Sequence, residues 1–254
     1  MCTLSFLPEN EGYVAAMNRD ELKSRGVATA PAIHRMADMA AVYPREASGG
    51  TWIAATSHGN LFALLNWNLG IDGQLPEKLR SRGELIPSLL GEETAERVEV
   101  ALRKTELRGI HPFRLVGIFP RERDIREWRW NGEKLSRQWQ EWTRNHWFSS
   151  SRSDERAEAT RRKACEMMGQ EGGRQGREWL RQLHASHLPE AGAYSICVHR
   201  DDASTVSFTE VCCSETEIEM TYTAGNPCAP QGDSTTIRLP NGRVTGAFRK
   251  QHAI

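Results

Sequence analysis

The chain has 254 residues, of which 33 are basic and 33 acidic, so its net charge gives no reason to expect a nucleic acid or an anionic membrane as a partner. No apolar run approaches the ~18 residues of a membrane-spanning helix, and no basic start precedes an apolar stretch, so neither a membrane span nor a secretory signal is expected. Six cysteines at irregular spacing argue against a disulfide framework and favour a reducing cytoplasm. A homo-oligomer is compatible with the sequence.

The first predicted element is a hairpin at the N-terminus. Residues 3–7 are rich in β-forming side chains, PENEG supplies turn residues, and YVAAMN resumes an apolar run. Removal of Met1 would leave Cys2 with a free α-amine beside its own thiol. Such an amine titrates near ~7.7 to 8.0 and can act as a general base at neutral pH. Cys2 is therefore a candidate nucleophile.

A second hairpin is predicted where WIAAT and LFALLN flank the turn SHGN, after an irregular stretch that contains Pro31 and Pro44. The continuous apolar runs indicate strands buried on both faces, which requires covering helices. SRGELIPSLL and ETAERVEVALRKTEL supply two helices. The apolar positions of the second are Val98, Val100, Leu102 and Leu107.

The remaining chain predicts more strands and one long helical region. FRLVGIFPRERDIREWRWNGEKLSRQW reads as a strand meander, and the charged segment after it as helix with a break at Gly172, Gly173 and Gly176. A third hairpin is expected around RDDAS, then a strand at IEMTYTAG and a peripheral C-terminal stretch. The basic runs RKTELR and ATRRKA are expected to be solvated helix faces. Hairpins at both ends favour antiparallel sheets with outer helices, in a single domain over residues 1–254.

Two histidines near the end of the helical region raise the question of a metal site. His184 and His187 could share a helical face in LRQLHASHLPE. No cysteine or carboxylate set of zinc-site spacing accompanies them. We therefore expect a surface pair and no metal.

The second predicted strand ends in four polar residues, Asn18, Arg19, Asp20 and Glu21. If the hairpin pairs them with residue 2, Arg19 and Asp20 lie near the N-terminal amine. A carboxylate there could hold the ammonium or a substrate amide, and a guanidinium would stabilise a thiolate. The alternative is a solvated turn with an incidental ion pair, which contributes little to stability.

Five stretches, MCTLSF, NRDE at 18–21, GGTW at 49–52, GNLFALLNW and SRGELIPSLL, together resemble the NRDE family, also called the transport and Golgi organisation 2 type. Members of that family are similar to N-terminal nucleophile hydrolases, the superfamily of penicillin V acylase and bile salt hydrolase. The resemblance implies an α+β fold, a four-layer α/β/β/α sandwich of two antiparallel sheets between helices.

The resemblance also implies roles for particular residues. Cys2 would be nucleophile and general base, with Arg19 and Asp20 as its supporting pair. An oxyanion-hole asparagine is expected on the strand carrying LLNWN, where Asn66 is preferred to Asn68. A further asparagine and a later arginine correspond to Asn145 and Arg152, with Ser149 to Ser151 competing for the same role. The expected substrate contacts are Asn18, Trp52, Asn68 and Arg152; for Trp52 the first expectation is packing in the core, and a wall of the substrate pocket is the alternative.

The implied activity is hydrolysis of a non-peptide C–N amide bond in a small-molecule substrate, through a thioester and without a cofactor. The rival is a carrier on the same fold that binds haem or lipid without turnover. Cys2, His34 and His58 are loose candidates for haem ligands, and CxxCH is absent from the sequence. Substrate identity stays open.

Overall fold

The computed structural model describes residues 2–69, 80–170, 176–230 and 232–242. In these ranges the strands are β1 Cys2–Glu9, β2 Gly12–Leu22, β3 Thr29–Arg35, β4 Ala40–Arg45, β5 Ile53–Thr56, β6 Leu61–Asn66, β7 Phe113–Phe119, β8 Asp124–Trp130, β9 Leu135–Gln140, β10 Asn145–Ser149, β11 Ala203–Cys213, β12 Glu217–Ala224 and β13 Thr235–Pro240. The helices are α1 Leu85–Leu89, α2 Ala95–Lys104, α3 Asp154–Gln170 and α4 Arg177–His184, and a short 3-10 helix spans Arg82–Glu84. The predicted glycines 172 and 173 lie outside the described residues.

The strands form two antiparallel sheets. The first has six strands in the order β10-β1-β2-β11-β12-β13. The second has seven strands in chain order from β3 to β9, so it is a simple meander. The predicted hairpins β1–β2 and β5–β6 and the meander β7–β9 are confirmed.

Three apolar clusters separate four layers. The cluster between the sheets joins residues such as Leu4 and Met17 of the first sheet to Val116 of the second. Helices α1 and α2 cover the outer face of the second sheet with Leu89, Val98 and Leu102. Helices α3 and α4 cover the outer face of the first sheet through residues that include Ala164, Trp179 and Leu183. The molecule is thus the α/β/β/α sandwich that the family resemblance implies.

The irregular stretch predicted around Pro31 and Pro44 is wrong, because both prolines lie in strands. β3 is the edge strand of its sheet, and its pairing with β4 shifts register between Thr29 and Ala32. Pro31 thus lies in an edge strand beside a register shift, where a sheet tolerates a residue that has no backbone N–H donor.

Three other predictions need correction. Only the second arm of the expected RDDAS hairpin is a strand, β11, and it pairs with β2 and β12. The residues before RDDAS make only isolated bridges in the described part of the chain, such as His199 to Ser204. The C-terminal stretch adds β13 as an edge strand on β12. Val100 is 50% exposed, because it lies on the side of α2 away from buried Val98 and Leu102.

Candidate active site

The register of the first sheet places three polar residues side by side at one end of β1. Cys2 lies opposite Arg19 of β2 and opposite Ser149 of β10. The backbone N–H of Cys2 donates to Ser149 Oγ over 2.9 Å, and Cys2 is only 5% exposed. The start of the chain is therefore held between two strands rather than frayed.

Cys2 lines a cavity of about 300 Å³. Its walls mix cationic, anionic and apolar side chains, and its lining residues include Arg19, Glu21, Arg25, Glu46, Trp52, Leu64, Asn66, Arg82 and His111. A cavity of this size, with a buried thiol and a few polar groups, fits a small organic ligand.

Arg19 is fixed in this cavity by ion pairs and by an aromatic ring. Its Nη2 lies 2.7 Å from Glu46 Oε1 and 3.3 Å from Glu21 Oε2. Its guanidinium carbon is 4.5 Å from the centroid of the Trp52 ring, a cation–π contact. Trp52 belongs to the core between the sheets and also lines the cavity, so it occupies both of its expected positions.

The two glycines of GGTW set the position of a cavity wall. Gly49 has a φ of 91°, and a Cβ on Gly50 would lie 2.7 Å from Gly83 Cα. The N–H of Thr51 donates to Gly83 O over 3.0 Å. This close approach of the two backbones places the 3-10 helix that carries Arg82 against Trp52, the residue before β5.

Asp20 also borders the Cys2 cavity, and its buried carboxylate lies on the opposite face of β2 from Arg19, as strand alternation requires. Its Oδ1 accepts from Thr205 Oγ1 at 2.7 Å, and its Oδ2 lies 3.4 Å from Arg161 Nη2. Burial raises the pKa of Asp20, while Arg161 and Thr205 oppose that rise.

Arg161 of α3 is the residue that the sequence reasoning missed. Its side chain is fully buried, and Nη1 donates to Cys2 O, Thr3 Oγ1 and Ser149 O at 3.2, 2.9 and 3.2 Å. The expectation that ATRRKA is a solvated face is wrong at this position. Residue 161 follows buried Ala157 by four residues and precedes buried Ala164 by three, so helical spacing was the available signal.

The two candidate oxyanion asparagines lie in different places. Asn66 ends β6 and lines the Cys2 cavity, and within the described ranges its side-chain amide has no hydrogen bond. Asn68 is not among the lining residues; its backbone N–H donates to Asp154 Oδ2 over 2.8 Å. Trp67, between them, has the Arg129 guanidinium 5.8 Å from its ring centroid.

Three other expected site residues are not brought to the Cys2 cavity. The Asn18 amide donates to His184 O and Ile196 O at 2.8 and 3.0 Å, behind the sheet. Asn145 pairs with Phe6 at the far end of β1, and its amide donates to the carbonyls of residues 141 and 143. Arg152 is exposed beyond β10. Ser149 takes the position beside Cys2 instead.

The histidines expected as a surface pair are separated. His184 is fully buried, with Nε2 2.9 Å from Ser5 Oγ and Nδ1 3.0 Å from Asn18 Oδ1. Burial lowers the pKa of His184 to about 3, and the same cause lowers the pKa of His146, on the other side of Ser5, to about 3. The surface expectation is therefore wrong for His184, which is a neutral core histidine.

The loose candidates for haem ligands do not converge on Cys2. His34 stacks on Tyr43 with ring centroids 3.9 Å apart, and His58 Nε2 lies 3.8 Å from Glu93 Oε1. Neither histidine lines the Cys2 cavity. Across the described part of the chain, no helix has the length and apolarity to cross a bilayer.

Penicillin V acylase from Agrobacterium tumefaciens is similar, with a TM-score of 0.55 and 14% identity over 93% of this chain and 86% of that one. A mutant conjugated bile acid hydrolase from Clostridium perfringens gives a TM-score of 0.58 and 9% identity over 93% and 92% of the two chains. At these identities the likeness shows the fold, that of N-terminal nucleophile hydrolases.

No curated protein sequence matches the chain. The family described as Transport and Golgi organisation 2 matches residues 1–192, well over half of the length. The protein therefore belongs to the transport and Golgi organisation 2 family.

Proposed function

We propose that the protein is an N-terminal cysteine amidohydrolase that cleaves a non-peptide C–N amide bond of a small molecule. The observation that carries this proposal is the position of Cys2, which begins β1 at the wall of the cavity. Its backbone nitrogen contacts Ser149 Oγ, and Arg19 lies across from it on β2. The family and the fold agree with this activity.

The buried thiol needs a base. Burial raises the pKa of the Cys2 thiol, and Asp20 raises it further while Arg19 lowers it. A thiol in that environment is mostly protonated at neutral pH, so attack requires that its proton be removed. Once Met1 is cleaved, the α-amine of the same residue is the nearest base, and Ser149 Oγ would orient it.

The reaction then follows from these atoms. The amine takes the thiol proton, and the sulfur attacks the carbonyl carbon of the amide. Asn66 and nearby backbone N–H groups stabilise the oxyanion that forms, since the Asn66 amide is unbonded within the described residues. The ammonium passes its proton to the leaving nitrogen as the C–N bond breaks, and water hydrolyses the thioester to release the acid and the free thiol.

Arg161, behind the sheet, and Asp20, which borders the cavity, support this arrangement. Arg161 joins the carbonyls of Cys2 and Ser149 with one nitrogen and approaches Asp20 with another. The two strands that flank the nucleophile are thus fixed to each other. Arg161 is a positioning residue, since it contacts backbone carbonyls, Thr3 Oγ1 and the Asp20 carboxylate and does not line the cavity.

The charges in the cavity favour a substrate that carries a carboxylate or another anion. Arg19 and Arg25 are both paired with Glu46. Arg82 donates to Pro112 O at 3.0 Å and, within the described residues, has no carboxylate partner. Burial lowers the pKa of Arg82, although an arginine remains cationic in water at neutral pH. An anionic substrate group would complete its hydrogen bonds.

This substrate preference is tested with pairs of N-acyl amides that differ only in a carboxylate. Because a hydrogen bond to a charged group contributes about 1.5 to 3 kcal/mol, Arg82→Gln should lower kcat/KM for the charged member by about 10- to 100-fold. The neutral member should change little. Exposed Arg97 of α2 provides the control Arg97→Gln, which should leave both values unchanged. An equal effect of Arg82→Gln on both members would contradict an anionic substrate.

The nucleophile is tested by mass and by labelling. The intact mass should show loss of Met1, and iodoacetamide should modify Cys2 in preference to half-buried Cys212. In a screen of N-acyl amides and lactams, Cys2→Ser should hydrolyse poorly and Cys2→Ala not at all, with Cys212→Ser as the matched control. Retention of Met1 in active protein would refute the self-base mechanism.

The rival carrier function makes opposite predictions. A lipid carrier would bind its ligand equally well after Cys2→Ala, and a carrier of either lipid or haem would show no turnover of any amide. Addition of haem would shift its Soret band in a way that depends on one named histidine or cysteine. His34 and His58 lie away from the Cys2 cavity, so they offer that cavity no second axial ligand.

A further inference from the structure

Four potential metal ligands meet at a place outside the Cys2 cavity. The side chains of His187, Cys197, His199 and Cys228 each offer one ligand atom, and these atoms all lie within 4.8 Å of one another. Cys197 is buried, and the other three residues are partly buried. Both cysteines are free thiols. Two imidazoles and two thiols are a donor set of structural zinc sites.

The two distances from His199 to the cysteines of the cluster agree with tetrahedral coordination. His199 Nε2 lies 3.6 Å from Cys197 Sγ and 3.3 Å from Cys228 Sγ. Zinc binds sulfur and nitrogen at ~2.0 to 2.3 Å, so two ligands of one tetrahedron are about 3.3 to 3.8 Å apart. His187 Nε2 is buried and, among the described residues, has no hydrogen-bond partner. A ligated ion would satisfy that nitrogen.

Three separate parts of the fold build the cluster. Cys197 and His199 are two residues apart in the segment before β11, and the 3.6 Å between Cys197 Sγ and His199 Nε2 shows that both side chains lie on one side. The Cys197 N–H donates to Ser186 O over 3.0 Å, which holds His187 alongside. Cys228 follows β12 in a turn closed by the bond from the N–H of Ala229 to Asn226 O. No zinc-site spacing joins these segments in the sequence.

We propose that His187, Cys197, His199 and Cys228 bind one Zn²⁺ ion in a structural site of the Cys₂His₂ type. Binding converts the two thiols to thiolates and releases two protons. All four tetrahedral positions are then filled by protein, so the ion has a structural and not a catalytic role. This proposal does not depend on the hydrolase activity.

The segment around Cys197 also contacts residues of the candidate active site, so a bound ion would stabilise that site. Ser195 O accepts from Arg161 Nε at 3.1 Å, and Ile196 O accepts from the Asn18 amide. The Val198 N–H donates to Thr205 Oγ1, the hydroxyl that donates to Asp20. Zinc at Cys197 would therefore fix the segment that holds the residues behind Cys2.

The experiment measures metal in the purified full-length protein and in variants. Elemental analysis should find about one zinc per chain that persists through dialysis. Chelated protein should take up Co²⁺ with the thiolate-to-cobalt absorption and the visible bands of a tetrahedral site. Cys228→Ser and His187→Ala should weaken metal binding by more than about 100-fold, because even loss of a group behind a ligand costs 10- to 100-fold.

Cys212→Ser is the matched control, since Cys212 is half-buried, free and outside the cluster, and it should keep its zinc. The partly buried positions of Cys228 and His187 favour folded variants, which circular dichroism checks directly. Zinc below about a tenth per chain together with no tetrahedral cobalt spectrum would overturn the proposal. A Cys197–Cys228 disulfide in protein prepared under reducing conditions would also overturn it.

Discussion

The buried guanidinium of Arg161 offers a test of how the candidate site is held together. Arg161→Met removes the donor to Cys2 O, Thr3 Oγ1, Ser149 O and Ser195 O. It also leaves Asp20 in the interior without its cation, since neither side chain of the pair is exposed. Breaking a buried ion pair costs ~3 to 5 kcal/mol. Each of the four orphaned acceptors adds ~1 kcal/mol, so we expect the free energy of unfolding to fall by about 7 kcal/mol or more.

The pH dependence of that loss identifies its cause. Burial raises the pKa of Asp20, and Arg161 opposes the rise, so the pKa is higher still in the variant. A carboxyl group whose pKa is raised in the folded state favours folding when protonated, and that contribution is lost as pH rises through the folded pKa. The deficit of Arg161→Met relative to the wild type should therefore be full at neutral pH and shrink in acid.

Urea unfolding followed by tryptophan fluorescence measures these free energies at several pH values. The next residue provides a control, because Arg162 is on the surface beside Glu158 and Arg162→Met should cost less than about 1 kcal/mol. Adding Asp20→Asn to Arg161→Met should recover part of the loss. If the first variant does not fold, Arg161→Lys retains the charge and is compared in the same way. A deficit under about 1 kcal/mol, or one that neither acid nor Asp20→Asn reduces, would refute the reasoning.

Three further predictions concern catalysis, packing and acid stability. Asn66→Ala should lower kcat by about 100- to 1000-fold in steady-state assays of an amide substrate with unchanged thermal unfolding, as expected for loss of one oxyanion donor. In urea unfolding, Leu102→Ala should cost about 2 to 5 kcal/mol and Val100→Ala less than about 0.5, because the Leu102 side chain is buried and Val100 is 50% exposed. The pKa of His146 is lowered from 6.5 to about 3, so its neutral form favours folding and that stability is lost as pH falls through this window. His146→Gln should flatten an acid titration of stability, and an unchanged slope would contradict this.

The local sequence pattern was sufficient to predict the strands nearest to Cys2. The β-forming run after residue 2, the turn PENEG and the apolar return strand predict a hairpin, and its register does place Cys2 opposite Arg19. The alternation of LLNWN separates Asn66 from Trp67 for the same reason, since successive strand residues face opposite sides. Short-range geometry fixes these positions without knowledge of the rest of the chain.

Long-range pairing was the part that local pattern could not supply. Ser149 reaches Cys2 across 147 residues and Arg161 reaches Asp20 across 141, so no spacing links them in the sequence. The burial of Arg161 was also hard to predict because it is charged, and charged side chains are mostly exposed. Its burial is possible only because a carboxylate and several carbonyls meet it, and none of these lies on its own helix.

The motifs GGTW and SRGEL, some thirty residues apart in the sequence, act as one structural unit around the cavity. A side chain on Gly50 would collide with the backbone of Gly83, so only glycine permits the Thr51 N–H to reach Gly83 O. That contact fixes Arg82, next to Gly83, relative to Trp52, and Trp52 in turn supports the Arg19 guanidinium. Arg19 is the paired cation beside Cys2, and Arg82 has no carboxylate partner among the described residues. The contact therefore fixes the distance between these two guanidinium groups. Under the proposed function, a substrate with its anionic group on Arg82 would present its amide at a defined distance from the Cys2 sulfur, and the choice of substrate would then be linked to the site of bond cleavage.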